Sequence, residues 1–381
     1  MAAMTHVFPT YDRFGFEPVS GQGVTITDET GKQYLDFTSG IGVCNLGYQH
    51  PAVTQAVSDQ LAKMWHISNL YNNHLQESVA HLLVGDSDRL AFFANSGTEA
   101  NEAALKLVRK ATGRNQIVSF NHSFHGRTYG SMSMTGNPHI KEGFGPLVPD
   151  MVFETLNDPA AFKAVGPQTA AVIVEVIQGE GGVILADRQW LLDLQDKAHQ
   201  VGALLIIDEV QTGIGRTGTR FAFEGVGLDP DIYTSAKGLA NGLPVGAMIG
   251  KSALKSAFGP GSHGSTFAGN PLTMAAAQAV LTTLTPAFLV EVTQKADQIW
   301  PVLASFEDLP AVTAVTGRGL MIGIHLAANV PVSEVISTLH EKGLLTLSAV
   351  GNTLRLLPPL VMSSADLQRG LSLIESVLKA V

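Results

Sequence analysis

The sequence predicts an α/β protein with a large domain built on a mostly parallel sheet and a smaller α+β domain. Short apolar segments with the length of buried strands alternate with helices from Leu90 to about Gly250. This alternation is typical of a parallel sheet with helices on both faces. After Pro271 the pattern changes to long helices followed by strands. The 381 residues are enough for two domains, and the 39 glycines fit a fold with many tight turns.

The first 50 residues predict an extended arm and strands that associate with the smaller domain. Residues 23–37, GVTITDETGKQYLDF, have the alternation of two strands around a turn. The glycine-rich residues 39–51 predict a loop. Helices are expected at about Ala52–Lys63, with Pro51 in the first turn, and at Asn73–Val84.

The central segment supplies the predicted parallel sheet. The strand LAFFA leads into a helix over EANEAALKLVRKAT, whose apolar residues recur at helical spacing and which Gly113 ends. Four further strands are predicted at QIVSF, AAVIVEV, ALLIIDEV and PVGAMIG, and two helices near Ala160–Val165 and Asp187–Gln200.

The C-terminal segment predicts the smaller domain. Its expected elements are a helix from Pro271, a helix around Leu289–Phe306, strands in VTAVTGRGLMIGIHL, a helix at Val332–Lys342, strands at LLTLSA and TLRLLPP, and a helix from Ser364. We therefore predict an N-terminal arm with strands at 1–50, a large domain at 51–275 and a small domain at 276–381.

The composition excludes several classes of protein. The net charge of −9 argues against a surface that binds nucleic acid or anionic membranes. No apolar run approaches the ~20 residues of a membrane span, and the N-terminal segment lacks the regions of an export signal. Cys44 is the single cysteine and has no partner for an internal disulfide. We therefore expect a cytoplasmic protein that acts on small molecules.

The segment Ala203–Gly242 carries the chemistry on which the functional prediction depends. Asp208 and Glu209 follow a buried strand, at the end where open α/β sheets bind ligands. Lys237 stands between small residues, unlike a lysine on a helix surface. A lysine that binds covalently and a carboxylate that pairs with a ring nitrogen suit pyridoxal 5′-phosphate (PLP).

The motif Ser96–Glu99 has two explanations that the local sequence leaves open. It follows a predicted strand and opens a helix, and it has the form of a capping box, which needs no ligand. The same helix N-terminus could hold a phosphate, because its free N–H groups and its dipole favour an anion.

Two other motifs favour neither a nucleotide nor a metal. Gly213–Gly218 matches G-x-G-x-x-G, but it lies too far from the strand and is followed by an extended aromatic segment rather than a helix. His122 and His125 have no third ligand at a suitable spacing, so we expect no metal site.

Five further positions are candidates for ligand contacts. Phe124 offers a flat ring to a planar cofactor, and Arg127 offers either a fork for a carboxylate or a surface ion pair. Glu180, in a glycine-rich turn, faces either solvent or the site. Arg355 has apolar neighbours and therefore needs a partner. The turn at Ser265–Thr266 offers hydroxyl and N–H groups.

Six segments together resemble the class III aminotransferases of PLP fold type I, and their order and spacing fit from about Asp36 to Pro359. They are SGTEANEAALK, SFHGRT, QGEGG, DEVQTGIGRTG, SAKGLANGLP and GSTFAGNP. The resemblance implies a seven-stranded type of sheet and a homodimer with active sites at the subunit interface.

The resemblance also implies roles for the candidate residues in cofactor binding. Lys237 would bind PLP covalently and then act as the acid and base of proton transfer. Asp208 would pair with the ring nitrogen, Gln211 would bind the ring hydroxyl and Phe124 would stack on the ring. The phosphate would be held by Gly97, Thr98 and the partner subunit's Thr266.

Four residues would bind the substrates. Arg127 would take the substrate α-carboxylate, with Ser265 nearby. Arg355 would bind a carboxylate of glutamate or 2-oxoglutarate, and Glu180 would mask Arg355 when the other substrate is bound.

The substrates implied by the resemblance are N-acetylornithine and 2-oxoglutarate. A ping-pong reaction would yield N-acetylglutamate 5-semialdehyde and glutamate, a step of arginine biosynthesis. Ile41 favours an acylated amine or a plain ω-amino acid, since ornithine enzymes tend to carry tyrosine here. Ornithine, succinylornithine and 4-aminobutyrate stay open as amines. Outside the family, the alternatives are a nucleotide-dependent oxidoreductase and a PLP-binding protein without activity.

Overall fold

The N-terminal part of the protein forms a small sheet and three helices. The computed structural model describes residues 6–381, so residues 1–5 of the predicted arm lie outside it. The structure differs from the prediction at residues 39–51. The segment begins with one distorted helical turn, in which Gly40 and Ile41 have left-handed φ angles, rather than with a loop. The elements are β1 (Pro18–Gln22), β2 (Thr25–Asp28), β3 (Gln33–Asp36), α1 (Ser39–Gly42), α2 (Pro51–Leu61) and α3 (His74–Val84).

The central part confirms the predicted alternation of strands and helices. The predicted helix near Ala160–Val165 is a 3₁₀ helix, Pro159–Ala164, capped by Asp158. The elements are β4 (Arg89–Ala94), α4 (Gly97–Thr112), β5 (Gln116–Phe120), α5 (Tyr129–Met134), β6 (Met151–Glu154), β7 (Thr169–Val174), β8 (Ile177–Gln178), β9 (Ile184–Leu185), α6 (Arg188–Gln200), β10 (Leu204–Asp208), α7 (Ala222–Val226), β11 (Ile232–Ser235) and β12 (Gly246–Lys251).

The central sheet has seven strands in the order β4-β12-β11-β10-β7-β5-β6, as the predicted α/β class requires. Its neighbouring strands run parallel except around β12, which is antiparallel to both β11 and β4. Asp208 on β10 pairs with Thr234 on β11, so the segments that follow these two strands leave the sheet side by side. This register brings the residues after β7, β10 and β11 to one edge.

Both faces of the central sheet are covered, which explains its continuous apolar strands. Along β7 and β10, alternate residues join two different core clusters: Val172 and Leu205 pack on one side, and Ile173 and Ile206 on the other. The helix α4 covers the second face, while α6 and α8 contribute to the first. A sheet buried in this way is stabilised by about 25 cal/mol for each Å² of apolar surface removed from water.

The C-terminal part forms an antiparallel sheet in the order β13-β14-β17-β16. The strand β15 instead runs parallel to β3 and joins the N-terminal sheet, β1-β2-β3-β15. The elements are α8 (Pro271–Thr283), α9 (Pro286–Ser305), β13 (Val312–Arg318), β14 (Met321–Leu326), α10 (Val332–Glu341), β15 (Leu344–Leu345), β16 (Leu347–Ala349), β17 (Thr353–Leu356) and α11 (Ser364–Leu378).

The division into 1–50, 51–275 and 276–381 stays a prediction. Its second boundary falls inside α8, which packs against α2 and α3. Within residues 6–381, no helix alone has the length and apolar character of a membrane span. Only α8 and α9 taken together reach that length and composition, and they are bent by 69°.

Candidate active site

A cavity of about 380 Å³ opens where the strands of the central sheet end. Its walls come from segments that are far apart in the sequence: the start of α4, the loop after β5, the turn after β8 and the segments after β10 and β11. The structure brings eight of the predicted site residues together in its lining: Gly97, Thr98, Phe124, Arg127, Glu180, Asp208, Gln211 and Lys237.

Lys237 follows β11 and opens a 3₁₀ helix, Lys237–Ala240. Its φ angle is +42°, a left-handed conformation that a lysine adopts only where the surrounding structure holds it. The next residue must be small, because a Cβ on Gly238 would overlap the side chain of Asn45. Removal from bulk water lowers the pKa of the Lys237 ammonium, although the Glu180 carboxylate opposes this shift. The backbone therefore presents an amine whose neutral form is favoured.

Asp208 ends β10 and is 3% exposed. One of its oxygens, Oδ2, accepts a hydrogen bond from Asn101 Nδ2 at 2.8 Å and lies 2.8 Å from His125 Nδ1. The other, Oδ1, accepts from the Val210 N–H at 3.0 Å. Asn101 is itself fixed, because its amide oxygen accepts from the Thr234 hydroxyl at 2.8 Å. A buried carboxylate held by several donors has a defined orientation toward the cavity.

The structure of the α4 N-terminus is compatible with both explanations of the Ser96–Glu99 motif, helix capping and anion binding. Ser96 Oγ accepts from the Glu99 N–H at 3.3 Å, so the helix is capped. Glu99 Oε2 accepts from the Ser96 hydroxyl and from the N–H of Asn95, one residue before the cap, each at 2.9 Å, so the reciprocal bond of a capping box is replaced by one from the preceding residue. These capping groups leave Gly97 and Thr98 in the cavity lining. Gly97 packs so closely that a Cβ would lie 2.7 Å from Val210. The helix end is therefore both capped and open to an anion.

Phe124 and Arg127 lie on one loop in the cavity wall. The Arg127 guanidinium is 5.6 Å from the centre of the Phe124 ring, and Arg127 is exposed to solvent. The Phe124 N–H donates to Glu175 Oε1 at 2.9 Å, so the backbone beneath the ring is anchored. Arg127 is positioned at the mouth of the cavity with its donors free for a carboxylate.

Arg355 and Glu180 form an ion pair at the edge of the cavity. Arg355, on β17, donates through Nη1 to Glu180 Oε1 at 2.7 Å and through Nη2 to Oε2 at 3.2 Å. Its side chain is 3% exposed, while that of Glu180 is 34% exposed. Burial raises the pKa of Glu180, but the charges of Arg355 and Lys237 and the hydrogen bonds from Arg355 and Gln211 together outweigh burial, so the net shift is downward. Gln211 Oε1 lies 3.4 Å from Arg355 Nη1 and completes the group.

Four predicted residues do not line this cavity: Ser265, Thr266, Ile41 and Arg355. Ser265 and Thr266 line a neighbouring cavity of about 750 Å³, together with residues such as His66. The two cavities are linked through Asn95, whose Nδ2 donates to Ser265 Oγ at 2.9 Å. Ile41 is 43% exposed and lines a third cavity, which also touches Arg355.

Three residues at the site had no role in the sequence-based prediction. His125 and Asn101 hold Asp208, and Glu175 lies in the cavity lining, 6% exposed. The sequence did contain a signal for Glu175, because this carboxylate comes directly after the apolar strand β7, much as Asp208 stands at the end of β10. His125 was considered only as a metal ligand. No group of three metal-ligating side chains occurs within the described residues 6–381.

The glycine-rich Gly213–Gly218 segment has a structural role. It contains Arg216, which is fully buried and donates to the carbonyl oxygens of Leu320 and Pro358 and to Asn45 Oδ1. Burial lowers the pKa of Arg216 to about 9. The segment therefore joins the central part of the chain to its C-terminal part and does not form a phosphate-binding loop.

The cavity combines a buried lysine with an oriented carboxylate and a helix N-terminus that is open to an anion. Beside it, a buried arginine is paired with a carboxylate that a ligand could replace. This is the kind of site found in group-transfer enzymes that use a bound cofactor. Residues 9–378 match the model of the family described as aminotransferase class-III. The chain belongs to this family.

Sequence relatives cover nearly the whole chain. A protein of Lactiplantibacillus plantarum named acetylornithine aminotransferase is 62% identical over 98% of this chain and 97% of its own length. A Bacillus subtilis protein of the same name is 49% identical over 97% of this chain and 96% of its own length.

Solved structures show the same fold. A structure of ornithine aminotransferase from Toxoplasma gondii, in which PLP partly occupies the active site, has a TM-score of 0.94 at 28% identity. It matches 99% of this chain and 92% of its own. N-acetylornithine aminotransferase from Stenotrophomonas maltophilia has a TM-score of 0.84 at 30% identity, with 97% of each chain covered.

Proposed function

We propose that the protein is a PLP-dependent aminotransferase that moves the δ-amino group of N-acetylornithine to 2-oxoglutarate. The products are N-acetylglutamate 5-semialdehyde and glutamate, and the reaction is a step of arginine biosynthesis. The observation that carries the proposal is the cavity that Lys237, Asp208 and Glu180 line together, with Glu180 paired to Arg355. The names of the relatives at 49–62% identity support the choice of amine.

The residues of the cavity fit PLP by the chemistry of their donors. Lys237 supplies an amine for the aldehyde carbon, and Asp208 supplies a buried carboxylate for the ring nitrogen. The start of α4, at Gly97 and Thr98, supplies backbone N–H groups for the phosphate. Phe124 supplies a flat ring, and Gln211 supplies an amide for the ring hydroxyl. When bound, PLP supplies the carbon that carries the amino group and a ring that accepts an electron pair.

Lys237 is the residue that moves the proton. Its Nζ would take the proton from the substrate carbon that bears the amino group and would deliver it to the cofactor carbon on the other side of the same nitrogen, a 1,3-shift. The lowered pKa of Lys237 favours the neutral amine more than in an exposed lysine, which helps the side chain to accept this proton. The left-handed backbone fixes the direction of the side chain, so the same amine serves both half-reactions.

Asp208 keeps a proton on the ring nitrogen. A negative charge at 208 favours the protonated form of an adjacent nitrogen, because opposite charges stabilise one another. The contacts of Asn101 and His125 hold Oδ2 and leave Asp208 unable to rotate away. A fixed carboxylate does this work without reorganisation during the reaction.

Arg355 and Glu180 allow one site to take two substrates of different charge. With N-acetylornithine bound, Glu180 stays paired with Arg355, and the buried guanidinium is neutralised. 2-Oxoglutarate brings its own carboxylate, which replaces Glu180 on Arg355, and Glu180, being one-third exposed, can move toward solvent. Arg127 takes the single α-carboxylate of N-acetylornithine and the second carboxylate of 2-oxoglutarate, with Ser265 nearby.

The proposal includes a homodimer in the cytoplasm. Ser265 and Thr266 lie outside the cavity of their own chain, which supports the prediction that the partner subunit's Thr266 completes the phosphate site. Large apolar side chains near them are exposed to solvent and are available to a second copy: Trp65, Leu70, Tyr71 and Phe267. Sedimentation velocity of the holoenzyme should give the mass of a dimer, and a monomer with full activity would contradict the proposal.

Two measurements test the proposed reaction. Single-turnover rates of the PLP form with N-acetylornithine, succinylornithine, ornithine and 4-aminobutyrate should be highest for N-acetylornithine. A preference for free ornithine would overturn the interpretation of Ile41. The Lys237→Ala variant should bind PLP without the absorbance of covalently bound cofactor and should lose turnover. If this absorbance persisted in the variant, the role of Lys237 would be wrong.

A further inference from the structure

Glu175 is a third carboxylate in the cavity, and no role has yet been given to it. It follows β7, is 6% exposed and lines the same cavity as Lys237 and Asp208. Among the described residues it has no hydrogen-bonded cationic partner. Both of its oxygens instead accept from backbone N–H groups: Oε1 from Phe124 at 2.9 Å and Oε2 from Gly179 at 3.3 Å.

The two backbone groups belong to two functional segments. Phe124 lies on the loop after β5 and presents its ring to the cavity. Gly179 immediately precedes Glu180, the carboxylate that masks Arg355. Gly179 also packs directly on the side-chain amide of Gln211, where a Cβ would overlap that group. One side chain therefore ties the segment that covers the cofactor to the segment that controls Arg355.

The environment of Glu175 makes its hydrogen bonds with the Phe124 and Gly179 N–H groups sensitive to any change of the carboxyl group. Burial raises its pKa to about 7, while the nearby His125 lowers it and Asp208 raises it. A carboxylate in such a place is stabilised mainly by the donors it accepts from, so it favours the arrangement that keeps both N–H groups in reach.

We propose that Glu175 is a positioning residue that couples the contact of Phe124 with the cofactor to the pairing of Glu180 with Arg355. Through this coupling it sets the discrimination between the amine, whose reacting δ-carbon bears no carboxylate, and 2-oxoglutarate, whose reacting carbon bears one. The inference rests on the proposed function, since it assumes that PLP and two alternating substrates use this cavity.

The variant Glu175→Gln isolates the coupling with little change of shape. An amide offers one oxygen and one NH₂ group, so one of the two backbone N–H groups loses its acceptor. Glu175→Asp keeps the charge, but the shorter side chain cannot reach both N–H groups. Glu209 provides a matched control, because it is also buried, its pKa is also raised by burial to about 7, and it accepts from a backbone N–H, that of Phe223. Glu209 does not line the cavity.

Three readouts on the purified holoenzymes test the proposal. For Glu175→Gln we expect a PLP dissociation constant raised about tenfold, from the loss of one buried hydrogen bond near the ring. The visible circular dichroism of bound PLP should change. The ratio of the two half-reaction efficiencies, amine over 2-oxoglutarate, should fall about tenfold, because Glu180 no longer masks Arg355 well. Glu175→Asp should likewise raise the PLP dissociation constant, change the visible circular dichroism and lower the ratio of the half-reaction efficiencies.

The outcomes separate this proposal from the proposed function. Glu209→Gln should lower stability but leave the ratio and the dichroism as in the wild type. If Glu175→Gln and Glu175→Asp slow both half-reactions equally and keep PLP affinity and dichroism unchanged, Glu175 is only structural and the proposal fails. If the wild-type enzyme does not transaminate, the proposed function fails, whatever the variants show.

Discussion

At the scale of single residues, the site depends on carboxyl groups that are held by hydrogen-bond donors. Asp208 is oriented by an amide, an imidazole and a backbone N–H, and Glu175 by two backbone N–H groups. The Arg355–Glu180 pair is the exception, because both partners are charged. A carboxylate held by donors cannot easily be displaced, whereas a charged partner can be exchanged for a substrate. The two kinds of contact match a fixed cofactor and alternating substrates.

Asp208→Asn should lower kcat by about 10²–10³-fold, as the loss of a preorganised charge at a reacting group does elsewhere. The amide keeps the shape but cannot hold the ring nitrogen protonated. Single-turnover kinetics would measure the loss. Asp231→Asn is the matched control, because Asp231 also pairs with a histidine, His199, at 2.9 Å but lies at the other end of β11. A kcat loss of similar size in the control would contradict the assignment.

Arg355→Ala should weaken the binding of 2-oxoglutarate far more than the binding of the amine. The variant leaves the substrate carboxylate without its guanidinium partner, a loss of about 3–5 kcal/mol for a buried ion pair and therefore more than 100-fold in KM. The KM of N-acetylornithine should change by less than tenfold, since Glu180 already occupies Arg355 in that half-reaction. Steady-state kinetics with each substrate varied would show the split. An equal rise of both KM values would contradict the divided roles of Arg127 and Arg355.

Two of the residues that the sequence did not assign, Asn101 and His125, share one property: the partners that identify their roles are remote in the chain. Asn101 is recognised only through Asp208 and Thr234, and His125 only through Asp208. In the sequence, Asn101 is one polar residue in a helix, and His125 is one of two histidines in a loop. Lys237 and Asp208 were predictable, because their positions after buried strands carry local information.

At the scale of elements, the N-terminus of α4 is the feature most sensitive to a single substitution. Gly97→Ala would place a Cβ 2.7 Å from Val210, so the first turn would have to shift away from the cavity. We expect PLP affinity to fall by more than tenfold, with a modest loss of stability. Equilibrium dialysis of the apoenzyme with PLP measures this directly. Gly225→Ala is the control, because its Cβ would make only ordinary contacts, at 3.5 Å or more.

The regular elements were predictable where one local pattern decided them. The strands of the central sheet, α4 with its stop at Gly113 and the final helix follow from apolar period and caps. The pairing of β15 with β3 was not predictable, since a two-residue strand carries no signal of its partner. The distorted turn α1 was missed because its positive φ angles, +68° at Ile41, are imposed by tertiary packing.

At the scale of the whole molecule, buried carboxyl groups make stability depend on pH. Burial raises the pKa of Glu209 to about 7, above the ordinary value of 4.5. The folded chain therefore binds a proton more tightly than the unfolded chain does. The stability that this group contributes is fully present below about pH 4.5 and is lost as the pH rises through 7.

Glu209→Gln should remove part of this dependence. Urea denaturation of the wild type at pH 5, 6, 7 and 8 should give a free energy of unfolding whose Glu209 contribution falls as the pH rises, because the folded state must release the proton. In the variant the slope between pH 5 and 7 should be smaller. An unchanged slope would show that Glu209 does not titrate in this range.

The pairing of β15 with β3 has a consequence for biosynthesis. A ribosome makes β3 early, but the edge of β3 stays open until Leu344 and Leu345 have left the exit tunnel. Arg355 follows only a few residues later. The nascent chain therefore carries Lys237 and Asp208 well before it can close its N-terminal sheet or form the Arg355–Glu180 ion pair. The ion pair of the proposed substrate switch is thus assembled late in synthesis, and the open edge of β3 is where a chaperone would have most to protect.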